Sequence, residues 1–266
     1  MNTSNWKQSF AVAAFAVATS TSAYAGGFVE ILNNGVRTPG SVNDLQEDPF
    51  YISGGIPSTW SLLNTATSAV YSPTNGNEVG SFIDSVWFES STNSYIIGSY
   101  FKLLNDTNGI TEINSIVRTG YSEVDTLSAA WTSASVVYGQ GNATGYRLRD
   151  PARSDYRAPY VAGDANAGLY QDLDKVAFRT DVSTGEGNPN SGLYLLKFSA
   201  EGLTYQWTNN AVHIVQGASS SENGRIRQDM WLSGFAVTAV PEAETYAMMM
   251  AGLGLIGTIA RRRKSA

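Results

Sequence analysis

The sequence predicts an all-β fold, an antiparallel β-sandwich of jelly-roll type, flanked by two end segments that lie outside the domain. Three observations predict it. Hydrophobic residues make up 42% and aromatic residues 11%, so a large core can be buried. Charged residues reach only 15%, and charge-poor, aromatic-rich chains fold rather than stay disordered. The 26 Gly and 8 Pro are spread along the chain, which suits many short strands joined by tight turns.

The strand-like runs follow in order. They are Ser81–Glu89 (SFIDSVWFE), Ser94–Leu104 (SYIIGSYFKLL), Lys175–Val182 (KVAFRTDV), Gly192–Ser199 (GLYLLKFS), Ala211–Gln216 (AVHIVQ) and Met230–Val240 (MWLSGFAVTAV). Several alternate. In the third quarter of the chain, Val176, Phe178 and Thr180 fall on one side of a strand, with Lys175, Ala177, Arg179 and Asp181 opposite. Turn clusters rich in Gly, Asn and Asp occupy 105–109, 139–142 and 185–190. Thr111–Arg118 and Leu127–Trp131 read as one or two helical turns each. No repeat of solenoid or propeller length is visible. Ser219–Gly224 is a loop too short to divide a domain, so residues 26–240 form a single unit.

The ends carry the clearest signals. Lys7 precedes an apolar run, Phe10–Ala18, that is too short to cross a bilayer, and Ala23-Tyr24-Ala25 follows as a small-x-small site. Residues 1–25 therefore read as a secretory signal peptide, with cleavage between Ala25 and Gly26. At the other end, Pro241-Glu242-Ala243 precedes an apolar stretch, 246–260, and then Arg261, Arg262, Arg263 and Lys264. As a helix that stretch spans about 22 Å, a marginal transmembrane segment that thinning and snorkelling accommodate. The basic cluster should stay cytoplasmic, leaving the preceding domain outside.

This ordered tail resembles the PEP-CTERM sorting signal, over the last 26 residues only; Ala243 stands where that signal usually has Pro. The resemblance implies recognition by an exosortase, a membrane transpeptidase. It also implies an inner-membrane precursor in a Gram-negative envelope, destined for the cell surface or extracellular matrix, often alongside exopolysaccharide. Export further implies the Sec machinery and signal peptidase as partners, and the membrane through the C-terminal helix. The tail is an address and does not reveal what the domain does.

Composition excludes several chemistries. Cysteine is absent, so disulfides and thiolate catalysis are ruled out. The net charge is −6, and the tail's basic cluster makes the domain itself more acidic, which disfavours nucleic acid as a partner. His213 is the one histidine, without a Gly-x-Ser-x-Gly elbow or a second zinc ligand, and reads as a solvent-facing strand residue. Asp181, Glu186 and Asn188 close a strand into a Gly-rich loop and supply hard oxygen ligands of the type calcium takes. No other cofactor is indicated. The stretch 146–157 concentrates Arg, Asp and Tyr; it reads as a solvated loop and as the first place to look for a ligand-facing surface. These features point to a non-enzymatic surface protein. A carbohydrate-binding, lectin-like sandwich is the alternative, for which Trp60, Trp87, Trp131, Trp207 and Trp231 are candidates. A secreted glycoside hydrolase is the third expectation; it needs a convergent carboxylate pair.

Overall fold

The computed structural model describes residues 27–33, 50–104, 112–133, 149–156, 169–185, 187–216, 228–240, 248–256 and 261. The described strands, in chain order, begin with β1 (Val29–Glu30), β2 (Trp60–Tyr71), β3 (Glu78–Glu89), β4 (Ser94–Leu103), β5 (Glu112–Thr119) and β6 (Ser128–Thr132). Then come β7 (Arg149–Ala152), β8 (Ser154–Tyr156), β9 (Leu169–Gln171), β10 (Lys175–Ser183), β11 (Leu193–Ser199), β12 (Leu203–Gln216) and β13 (Gln228–Ala239). One sheet has the order β1-β6-β11-β4-β3-β2, the other β13-β12-β5-β10-β7, and β8 pairs with β9. Every pairing between these strands is antiparallel. The chain is all-β, as its alternation and turn spacing predict.

The sheets face each other across one core. Phe82, Val86, Ile97 and Phe101 of the first meet Ile116, Phe178, Val212 and Ile214 of the second. Phe178 and Tyr194 stack across the gap at 5.4 Å. From β5 onward the chain passes repeatedly from one large sheet to the other, with β8 and β9 forming a separate pair. The β2-β3-β4 meander, made of consecutive hairpins, departs from that scheme.

Two expected helical stretches are strands. Glu112–Thr119 is β5, a central strand of the second sheet, and Ser128–Thr132 is β6. Their apolar runs mislead because both faces are covered. On β5, Ile116 and Arg118 face the core while Val117 joins Ala152, Ala177 and Val215 in a buried cluster on the opposite face. The first sheet repeats this. Trp87, Ile96 and Leu195 alternate with the inward residues and are covered by Phe28, Ile52 and Ile56 from the N-terminal segments. Strands buried on both faces read as continuous apolar runs, not as alternation.

At the C-terminal end, residues 248–256 are helical. Among the described residues no helix is long and apolar enough to cross a membrane.

Candidate functional site

The interior of the sandwich holds a charged pair. On β3 the inward phase runs Phe82, Asp84, Val86, so the alternation itself carries Asp84 into the core. Asp84 and Arg118 have no exposed side-chain surface, and Arg118 Nη1 donates to Asp84 Oδ2 at 2.9 Å. The Phe235 backbone N–H donates to the same oxygen at 2.7 Å, and Arg118 also donates to Ser99 Oγ and to the Phe235 carbonyl. Burial pushes the Asp84 carboxyl above its ordinary value, against the pull of Arg118. Burial opposes the Arg118 charge most strongly, but Asp84 and Tyr121 together outweigh it and hold the guanidinium up. Tyr121 is pushed up to about 12, first by burial. Gly234 is what lets β13 approach this pair: a Cβ there would stand 2.8 Å from Asp84 Oδ2 and 2.8 Å from Val212. All the polar atoms of Asp84 face protein groups, so this pair ties the sheets together and is not open to a substrate.

Arg153 does similar work at one end. It is buried and donates to the carbonyls of Tyr121, Leu173 and Val124 and to Asn33 Oδ1. It thereby gathers three loops, and among the described residues no carboxylate accepts a hydrogen bond from it. Burial holds its guanidinium below the ordinary value. The Arg-rich stretch 146–157 was expected to be a solvated loop; Arg153 corrects this, because carbonyls recruit it inward. Residues 146–148 and 157 lie outside the described residues.

The tryptophans separate into two groups. Trp60, Trp87 and Trp131 are core residues, whereas Trp207 and Trp231 are 45% and 47% exposed. Both exposed rings belong to the β12–β13 hairpin. Trp207 pairs with Phe235 and His213 pairs with Trp231; Phe235 lies in the core between the sheets with Tyr205, whereas Trp231 covers His213 on the outer side. Between these pairs β12 carries extra residues, with Asn210 in the left-handed region at φ 57°.

His213 corrects a second expectation. It is 3% exposed, not solvent-facing, because Trp231 lies over it in a parallel stack, centroids 4.1 Å apart and rings 5° from parallel. Its Nε2 is 2.6 Å from Asp229 Oδ1. His213 sits in a cross-strand row, Trp231–His213–Val117–Ala177–Ala152, whose members other than Trp231 are buried. Further along, Trp207 meets Phe235 edge-on at 5.0 Å, and Ser233 Oγ donates to Asn209 Oδ1 at 2.9 Å.

The other sequence-predicted residues are not brought together. Asn188 is buried and its backbone pairs with Ser183 in both directions, but Glu186 and the Asp181 side chain lie outside the described residues. Among the described residues no three His, Cys, Asp or Glu side chains are grouped to hold a metal. Ala23, Ala25 and Gly26, Pro241, Glu242 and Ala243, and Arg262, Arg263 and Lys264 also lie outside them; Arg261 is helical. A hollow of about 330 Å³ at one end of the sandwich is bordered by Glu123, Asp125 and Glu201 with Val124 and Leu203. These three carboxylates are exposed and spread acidic charge over the surface. The sequence reading missed Asp84–Arg118, Asp229, Asn209 and Ser233. Asp84 alone had a usable signal, a carboxylate in the inward phase of an apolar strand.

The fold and its buried charges define an all-β, antiparallel sandwich protein. Its tail places it further: residues 239–264 match the PEP-CTERM protein-sorting motif. That motif implies an exported protein processed in the envelope by an exosortase-like membrane enzyme. Neither the curated proteins nor the solved structures give a match to the chain.

Proposed function

We propose that this chain is a non-enzymatic surface or matrix protein of a Gram-negative envelope, delivered through its tail. Residues 1–25 direct export and are removed before Gly26. The apolar stretch 246–260 holds the precursor in the inner membrane, with Arg261 to Lys264 kept inside because moving such charges through hydrocarbon is expensive. An exosortase-type enzyme then acts near Pro241-Glu242, and the sandwich reaches the surface.

The observation that carries this reading is the sorting-motif match at 239–264, which begins on the last residue of β13 and takes in every part of the tail. The non-enzymatic part is supported by the engagement of the buried charged groups. Asp84 and Arg118 bind each other and backbone, and Arg153 holds carbonyls. The test is a pair of variants in a host with the sorting enzyme. Changing Pro241 and Glu242 to Ala should leave an uncut, membrane-bound precursor in fractionation blots. Changing the four basic residues to Ser should disturb its membrane orientation instead. If the Pro241/Glu242 variant is cut and localised like the wild type, the tail is a passive anchor and the proposal fails.

A further inference from the structure

We propose that β2 is a self-pairing edge, through which two copies of this chain join antiparallel about Thr67 into one continuous sheet. Among the described strands, the two large sheets end in β1 and β2, and in β13 and β7. Proteins protect exposed sheet edges by shortness, charge or proline. β1 is two residues long. β7 packs Arg149, Asp150 and Pro151 into four residues. β13 carries Asp229 and leads directly into the tail. β2 has none of these devices. It is 12 residues long, WSLLNTATSAVY, without a charged residue, Pro or Gly. Its register shifts fall near the ends, beside Leu63 and Tyr71, so Asn64–Val70 runs unbroken along β3.

The register shows which backbone groups are open. The Leu104 N–H donates to the Val79 carbonyl at 2.8 Å, so odd-numbered residues of β3 bond to β4 and even-numbered ones bond to β2. Phe82 and Asp84 are paired with Ser68 and Ala66. Thr65, Thr67 and Ala69 therefore turn their N–H and C=O groups away from β3, and among the described residues no strand pairs with them. A second β2, antiparallel about Thr67, would exchange about six backbone hydrogen bonds with these groups. Thr67 then faces its own copy and Thr65 faces Ala69. Thr–Thr is a favourable cross-strand pair. The same symmetry brings Leu62 and Leu63 of each copy beside Tyr71 of the other, and all three side chains are exposed.

Charge favours a second copy as the occupant. The protein is acidic, so identical copies repel wherever carboxylates meet. Along β2 they meet without any like charge. A partner selected by charge would need a complement on the strand, and residues 60–71 offer none. Two-fold pairing also uses the same strand on both sides, so it closes as a dimer and leaves no β2 edge for a third copy.

The experiment is sedimentation equilibrium of the full-length chain in mild detergent at high micromolar concentration. The wild type should be dimeric. Thr67 is exposed, so a longer side chain there should not disturb the fold. Thr67→Lys and Thr67→Glu should each weaken dimerisation at least tenfold, because the new charge meets itself across the two-fold axis. An equimolar mixture of the two variants should dimerise again, as Lys meets Glu. A dimer held by the C-terminal helix would survive both substitutions. The proposal is overturned if the wild type is monomeric, if either variant dimerises like it, or if the mixture stays monomeric.

Discussion

Asp84 and Arg118 illustrate how much one pair of side chains can decide. Each is fully buried, and each is acceptable inside the core only because the other is present. Breaking such a pair from one side leaves an uncompensated buried charge, which costs about 3–5 kcal/mol. Asp84→Asn should therefore lower the melting temperature sharply in a thermal scan. The double change Asp84→Leu with Arg118→Met should recover much of the loss, because two apolar groups of similar volume need no partner. If the double variant is no more stable than Asp84→Asn, the pair is not the dominant contribution at this position. Asp84 was legible in the sequence as an inward-phase carboxylate. Its partner was not: Arg118 ends a stretch whose apolar run hid its strand character, and no local spacing links positions 84 and 118. His213 was placed on the wrong side of exposure for a related reason. The stack that covers it comes from a residue on the neighbouring strand, which sequence neighbours do not reveal.

At the level of elements, alternation identified the strands with one wet face and failed where both faces are covered. Lys175–Val182 and Met230–Val240 correspond closely to β10 and β13, whereas β5 and β6 were taken for helical turns. The long β2 was missed as well, since its edge position leaves most of its side chains exposed and polar. The β12 bulge is a designed bend rather than a slip of register. Asn210 takes a left-handed backbone there, which Asn tolerates and β-branched residues resist. Its carbonyl also accepts from Thr119 Oγ1 at 3.0 Å, tying the bend to β5. Asn210→Gly should keep the melting temperature near wild type, while Asn210→Val should cost about 1–2 kcal/mol. Equal stability of the two variants in urea unfolding would show that the bend does not depend on that conformation.

For the molecule as a whole, the junction between domain and tail is unusually tight. The backbone N–H of Val240 donates to the Gly202 carbonyl at 2.9 Å, so the folded sandwich extends to the residue before Pro241. Under the proposed sorting, the enzyme must reach Pro241-Glu242 directly beside a packed strand pair. A flexible Gly-Ser insert between Val240 and Pro241 should therefore speed processing severalfold in pulse-chase blots. Unchanged or slower processing would mean that the domain does not obstruct the enzyme. The tail was legible from sequence because it is a linear signal, read by order and composition. Which tryptophans stay half exposed was not, because that depends on how distant strands pair and pack.

The order of the first sheet has a consequence for how the chain travels. β1 has no partner until β6 exists about a hundred residues later, and β4 waits equally long for β11. Among the described strands only β2-β3-β4, β8-β9 and β12-β13 close between consecutive strands. A topology so dominated by distant pairings folds slowly, because each such closure must precede its reward. An emerging chain therefore cannot complete its core early, and it stays threadable while most of its length is still to come. Under the proposed export, slowness, usually a hazard for a β-protein, keeps the polypeptide fit for passage through a narrow pore.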